Sequence, residues 1–331
     1  VQRWEGLSAV EADFGPSVVT IGNFDGVHRG HAAVLARVVA TARSRGAAAV
    51  AVTFDPHPLQ VLDPERAPGL LTGVDHRLER MEAAGLDAVL VMPFTTELAS
   101  WSPERFVVDV FVRALGAQVV VVGHDVRFGR RNSGDLATMR ELGARHGFEV
   151  AVLEDLGDPS DGSPRWSSTA VRDALAAGDA ERAAAVLGHL HRVTATVVHG
   201  DHRGRELGYP TANLSTVAGE TEGLVPADGV YAGWVVRAEG TPQEDRMPSA
   251  ISVGSNPTFD GLERRVEAYC IDRTGLDLYG ERVAVEFVRR LRPTLRFDGV
   301  DALVVQMGRD VDEARRLLAG AGRSGLSVPG W

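Results

Sequence analysis

The strongest constraint on this chain is a change of rhythm along its length. Short apolar, β-branched runs at residues 18–21, 47–54, 88–92, 118–122 and 148–153 alternate with segments of helical spacing at 32–45, 75–84, 102–115 and 136–146. Ser102 and Pro103 form a helix start, a hydroxyl cap followed by proline at the first helical position. Continuous Val-rich strands between helices predict a parallel sheet covered on both faces, an α/β arrangement.

Beyond Gly188 the rhythm is different. A polar Pro/Gly-rich stretch at 157–164 and two short helical segments at 168–177 and 179–187 lead into it. Strand-like runs at 192–199, 229–237, 249–253, 265–271 and 282–288 then follow one another with turn residues between them. Helical spacing returns only at 299–319. This pattern predicts an antiparallel β-barrel or sandwich closed by a terminal helix. The expected domains are 1–187 and 188–331, consistent with 331 residues at roughly 100–200 per domain.

Composition removes several function classes. A net charge of -10 argues against a nucleic-acid surface as the main role. No apolar run reaches the roughly 18 residues of a membrane span, and the opening residues 1–6 predict no secretion signal. Cys270 is the single cysteine, so the chain has no internal disulfide and fits a reducing, cytoplasmic setting. All 35 basic residues are arginine. Without lysine there is no P-loop, no protein-kinase strand lysine and no Schiff-base chemistry.

The sharpest motif is Gly22-Asn23-Phe24-Asp25-Gly26-Val27-His28-Arg29-Gly30-His31, between a predicted strand and a predicted helix. Glycine allows close backbone approach to a ligand, and a helix start offers unpaired N–H groups to an anion. His28 and His31 are spaced to donate to phosphate oxygens and to stabilise charge during in-line attack at phosphorus. A pair of metal ligands is the competing reading, but no cysteine or carboxylate completes it. Ser167-Ser168-Thr169 with Arg172 reads as a helix cap and also as a phosphate clamp. His57, and Asp125, Arg127 and Phe128, follow predicted strands and should reach the same rim, although Phe54 and Phe128 fit a core role equally well.

The second half carries its own constellation, His199-Gly200-Asp201-His202-Arg203-Gly204 through Gly208-Tyr209-Pro210-Thr211-Ala212-Asn213. Its glycines do not match a dinucleotide fingerprint. Arg203 and the backbone at Gly200 and Gly208 can wrap a triphosphate, while Thr211 and Asn213 offer the neutral oxygens that Mg²⁺ accepts. A solvated hairpin loop is the alternative. The clustered histidines lack the cysteines or helical spacing of a zinc site.

The His-x-Gly-His loop with the late Ser-Ser-Thr-x-x-Arg helix resembles the HxGH nucleotidylyltransferases, a Rossmann-like fold. Thr53-Phe54-Asp55-Pro56-His57-Pro58 and Arg127-Phe128-Gly129 narrow the resemblance to the FMN adenylyltransferase module of bacterial bifunctional riboflavin kinase/FAD synthetases. Pro210-Thr211-Ala212-Asn213, Ala227-Asp228-Gly229-Val230-Tyr231, Ser252-Val253-Gly254-Ser255-Asn256-Pro257-Thr258-Phe259, Arg265-Val266-Glu267-Ala268-Tyr269 and Asp277-Leu278-Tyr279-Gly280 resemble the riboflavin kinase module. The order matches the family over nearly the whole chain.

The resemblance implies a six-stranded barrel that binds riboflavin and Mg²⁺·ATP. Glu267 would be the base for attack of the flavin hydroxyl on the γ-phosphate, with Thr211 and Asn213 at the metal and phosphates. In the first module FMN would attack the α-phosphorus of a second ATP, giving FAD and pyrophosphate. His28 and His31 would meet the ATP phosphates, and Gly22, Asn23, Phe24, Asp25, Gly26 and Gly30 would form the nucleotide loop. Ser167, Ser168, Thr169 and Arg172 would close over it. Val126 departs from the aromatic residue of many relatives, and Arg or His202 stands where they often carry lysine. Two other functions compete: a chain with one live activity, and an inactive flavin-binding regulator.

Overall fold

A computed structural model describes residues 1–153, 166–200, 204, 207–217, 220–239, 241–258 and 261–321. By their internal contacts they divide into two units, one of residues 1–68 and 74–166, the other of 69–73 and 167 onward. That division groups the two helices at 168–187 with the second unit, whereas the sequence reading sets the boundary at Gly188.

The first unit holds a six-stranded sheet of β1 (Gln2–Glu5), β2 (Ser17–Ile21), β3 (Ala48–Asp55), β4 (Ala88–Pro93), β5 (Ala117–Gly123) and β6 (Glu149–Leu153). The strand order is β1-β4-β3-β2-β5-β6 and every pairing is parallel. The helices are α1 (Arg29–Arg45), α2 (Pro58–Leu62), α3 (Val74–Ala83), α4 (Thr96–Ala99), α5 (Pro103–Phe106) and α6 (Leu136–His146). After α5 the chain continues as π-helix over Val107–Ala114. Ser102 caps α5, accepting the Arg105 N–H, and Pro103 follows it.

Both faces of this sheet are covered, as the Val-rich strands require. Val18, Ala49, Ala51, Val89 and Val121 pack with Leu35 and Val38 of α1. Their neighbours Val19, Val50, Val52, Leu90 and Val120 pack with Phe106, Val107 and Phe111 on the other side.

One sequence expectation is corrected here. The run at 18–21 is the second strand, because Gln2–Glu5 pairs in parallel with β4 at the sheet edge. β2 lies between β3 and β5, where the chain reverses its direction of travel across the sheet, and ligands bind in the crevice at that switch point.

The second unit begins with α7 (Ser168–Ala177) and α8 (Ala180–Leu187). A closed barrel follows, built from β7 (His191–Val198), β8 (Ala212–Leu214), β9 (Gly229–Arg237), β10 (Asp245–Thr258), β11 (Gly261–Cys270) and β12 (Arg282–Arg292). All its pairings are antiparallel, in the order β10-β11-β8-β7-β12-β9. Closure satisfies the strand edges that an open sheet would leave unpaired. Val193, Ala195, Val197, Val235, Ile251, Val266, Ala268, Val285 and Phe287 fill the interior. The terminal helix α9 (Val300–Ala321) lays Val311, Ala314 and Leu318 against the outside. Arg292 at the end of β12 holds it there through Asp310, with N–O distances of 2.7–3.0 Å.

A buried ion network stands on the outer face of this barrel. Glu286 accepts from Arg192 at 2.7 Å and from Arg246 at 2.5 Å, and Arg192 also pairs with Glu239. Burial alone would raise the Glu286 carboxyl, but the two guanidinium charges outweigh it and hold it below the usual carboxylate range. Its contribution is therefore complete above the ordinary carboxyl pKa and is lost as pH falls through the lower folded value. Glu286→Ala should destabilise the barrel by about 3–5 kcal/mol, because it leaves the buried Arg192 undercompensated. A shift in the urea midpoint at neutral pH checks this, and the shift should shrink as the solution is acidified.

Candidate functional site

The turn after β2 is built from residues that prefer other conformations. Phe24 and Val27 have φ of 49° and 38°, and a β-branched residue in that region is an outlier. Burial holds them there: Phe24 is 2% exposed and Val27 fully enclosed, both in the core cluster under α1. The Gly22 N–H donates to the Val52 carbonyl at 3.1 Å and the Val27 N–H to the Phe24 carbonyl at 3.0 Å. Asp25 and Gly26 are buried within the turn.

The turn delivers the chain to the N-terminus of α1. His28 is its cap, with Nδ1 accepting the His31 amide N–H at 3.4 Å. The two imidazoles stack, with centroids 3.6 Å apart and planes at 21°. The edge of Phe24 meets the His31 ring at 5.1 Å. Glycine at position 30 relieves crowding here, since a Cβ would lie 3.2 Å from the His28 ring and 3.3 Å from the Trp166 carbonyl oxygen.

This packing fixes the protonation of the pair. Burial lowers the His28 pKa to about 4. His31 lies well below the ordinary value through burial, then the nearby His28 and Arg77 charges. Both rings are thus neutral at pH 7. Because His28 Nδ1 accepts a backbone N–H, its proton sits on Nε2, which is left as a donor. His31 Nδ1 is buried with no hydrogen-bond partner among the described residues. A donor pair that is neutral, dry and beside a helix N-terminus suits phosphate oxygens rather than a metal cation. Among the described residues no group of three His, Cys, Asp or Glu side chains could hold a metal.

Other predicted residues stand around this turn. His57 caps α2, and its Nε2 lies 3.1 Å from the Asn23 side-chain amide. Asp125 and Arg127 are exposed on the loop after β5. Phe128 is in the core, 6.5 Å from Phe106 between ring centroids, not on the rim. The sequence reading missed Arg77. This α3 residue is 1% exposed and donates to the Asn23 carbonyl, Thr53 Oγ1 and the Phe54 carbonyl at 3.0–3.2 Å. Its spacing was a usable signal, since it falls three residues after Val74 and four before Met81 on the buried side of α3.

Ser167, Ser168, Thr169 and Arg172 belong to the second unit. Ser167 caps α7, accepting the Ala170 N–H at 3.2 Å, with Ser168 and Thr169 in the first turn. Arg172 Nε donates to the Gly69 carbonyl at 2.9 Å.

The barrel carries a cavity of about 700 Å³, a volume suited to a small-molecule ligand. Residues of both strand faces line it: Ala212, Ala268 and Cys270, which pack with the interior core, and Asn213 and Glu267, which share the opposite face of β8 and β11. Asn213 and Glu267 are register partners across β8 and β11. Both line the cavity together with Gly208, Thr211, Arg265 and Tyr279.

The Asn213 amide donates to the Thr211 carbonyl at 3.1 Å and lies 3.4 Å from Oγ1, which leaves Oδ1 as an oxygen ligand. Glycine at 200 leaves room for the Asn213 amide in this position; a Cβ would fall 2.5 Å from it and force the side chain to shift. Arg203 lies outside the described residues. Cys270 also lines the cavity, its thiol pushed up by burial and 3.7 Å from Ser249 Oγ.

Comparison with known proteins follows the same division. A family model for FAD synthetase matches residues 10–170, and one for riboflavin kinase matches residues 187–318. The bifunctional riboflavin kinase/FMN adenylyltransferase of Escherichia coli K12 is 35% identical over 90% of this chain and 91% of its own. The protein of the same description from Pseudomonas fluorescens is 36% identical over 96% and 98%. A crystal structure from Streptococcus pneumoniae, described as a macrolide-efflux protein, superposes with a TM-score of 0.83 at 30% identity, covering 95% of this chain and 99% of that one. No helix among the described residues of this chain is long and apolar enough to cross a membrane.

The neutral state of the imidazole pair has a measurable sign. A folded pKa near 4 against 6.5 unfolded means that the unfolded chain binds the extra proton in between. Stability tied to His28 is complete above pH 6.5 and declines as pH falls toward 4. Histidine NMR titration should find the His28 ring neutral at pH 5.5; a ring protonating near 6.5 would contradict its burial.

Proposed function

The chain belongs to the bifunctional riboflavin kinase/FMN adenylyltransferase family, and on that premise we propose how its residues divide the two reactions. The enzyme converts riboflavin to FMN and FMN to FAD. ATP enters twice as substrate, each time with Mg²⁺. Residues 1–187 are assigned to adenylyl transfer and 188–331 to the kinase.

In the kinase half, Glu267 orients the flavin hydroxyl and accepts its proton as the oxygen attacks the γ-phosphorus and ADP departs. Thr211 Oγ1 and Asn213 Oδ1 would hold the Mg²⁺ that arrives on ATP, an oxygen-seeking cation for which two neutral protein oxygens would suffice. Gly200, Arg203 and Gly208 contact the nucleotide. The observation that supports this half best is the register pairing of Glu267 with Asn213 inside one cavity.

In the adenylyltransferase half, an FMN phosphate oxygen attacks the α-phosphorus of ATP and pyrophosphate leaves. No covalent intermediate on the chain is needed. The turn from Gly22 to Gly30 cradles the nucleotide, and His28 and His31 donate hydrogen bonds to oxygens that gain charge in the transition state. Ser167, Ser168, Thr169 and Arg172 contact the phosphates when substrate is bound. His57, Asp125 and Arg127 contact ATP or flavin. The lone, buried thiol of Cys270 supports a cytoplasmic setting.

Incubation with riboflavin and Mg·ATP, followed by chromatography of FMN and FAD over time, tests the assignment. His31→Ala should accumulate FMN and lose FAD formation by about 100-fold. Unchanged FAD output would remove His31 from the site. Glu267→Ala should fail on riboflavin yet convert supplied FMN to FAD, and wild-type FMN formation would refute it as base.

A further inference from the structure

Arg77 is the one guanidinium fully enclosed in the first unit's core among the described residues. Its charge adds to the lowering of the His31 pKa, but it holds no bond to either imidazole among the described residues. Its position is nevertheless specific. It rises from α3 and reaches two strand ends at once, donating to the Asn23 carbonyl beyond β2 and to Thr53 and the Phe54 carbonyl on β3. Thr53 Oγ1 donates in turn to the same Asn23 carbonyl at 3.2 Å. Two carboxylates act on its charge, the buried Asp25 first and then Asp55, whose oxygen lies 3.9 Å away.

These bonds have a cost that packing alone does not explain. An apolar residue would fill the space beneath the turn without desolvating a charge. Arg77 Nε is buried with no partner among the described residues. What a planar guanidinium supplies, and a methyl-bearing chain does not, is simultaneous and directional attachment to several carbonyls. The attached element is the strained turn that ends in His28. Asn23 is also the residue whose side chain meets His57. One guanidinium therefore sets the backbone at Asn23, and that backbone carries the cap of α1.

We propose that Arg77 is a positioning residue for adenylyl transfer: it clamps the turn after β2 to the end of β3 and so fixes where the His28–His31 pair meets the triphosphate. This rests on the assignment of the imidazole pair to adenylyl transfer. It touches no substrate. The helix N-terminus and the turn still bind ATP without it, but the imidazole donors sit off the reacting phosphorus.

The test uses the full chain, Arg77→Met and Arg77→Lys, with His31→Ala beside them. FMN-to-FAD turnover, ATP affinity without FMN, and riboflavin phosphorylation are measured on each. Arg77→Met should lose about 100-fold in kcat for FAD formation, the scale of a misplacement near 1 Å. Arg77→Lys keeps the charge but not the fork, and should lose about tenfold. In both, ATP affinity should stay within threefold and FMN formation within twofold.

Folded Arg77→Lys with wild-type kcat overturns the proposal, and this holds even where Arg77→Met does not fold. Parallel loss of ATP affinity, kinase activity and FAD formation also overturns it, in favour of a scaffold role. FAD formation untouched in His31→Ala overturns the imidazole assignment itself. FAD formation lost in His31→Ala but kept in Arg77→Lys overturns only the role of Arg77.

Discussion

Burial of Phe24 and Val27 holds open a backbone turn that those residues would not adopt in water. Positive φ at two non-glycine residues costs on the order of 1–3 kcal/mol each. Enclosing two large apolar side chains returns about 1.5–3 kcal/mol apiece, enough to offset it. The core under α1 thereby stores the strain, and the turn presents its backbone toward the crevice at the switch point of the sheet. The stacked imidazoles, their lowered pKa values and the neutral donor on His28 all depend on this placement.

The second unit builds its cavity by different physics. On β8 and β11 the two-residue period sets a carboxylate and an amide side by side, Glu267 opposite Asn213, and residues of both strand faces line the cavity. The two units also treat charge in opposite ways. Imidazoles are kept neutral by desolvation in the first, whereas the barrel keeps Glu286 ionised by surrounding it with guanidinium groups. A chain without lysine meets both needs, since the first relies on ring and backbone N–H donors and the second on forked arginine.

Much of this was legible in the sequence, because strands covered on both faces are continuous Val-rich runs and helices repeat at their own period. The elements that escaped are those in which burial is local. Gln2–Glu5 lies at the sheet edge and buries only Trp4, so it has no apolar run. Ala212–Leu214 is a three-residue strand, too short for any period to register. The imidazole motif could be read because glycine and histidine stand adjacent in the chain. Arg77 could not be read as easily, because its partners at Asn23, Thr53 and Phe54 are distant in sequence and two of the three acceptors are backbone carbonyls. A carbonyl acceptor leaves no mark on residue identity.

The cysteine in the barrel cavity carries one more implication. As the only sulfhydryl in the chain, Cys270 gives electrophilic probes a single address, on the wall of the cavity that holds Glu267. Its desolvated thiol is sluggish, so alkylation there is gated by access to the cavity. A fluorophore or spin label attached at that sulfur would report occupancy of the kinase half alone, leaving the other half optically silent.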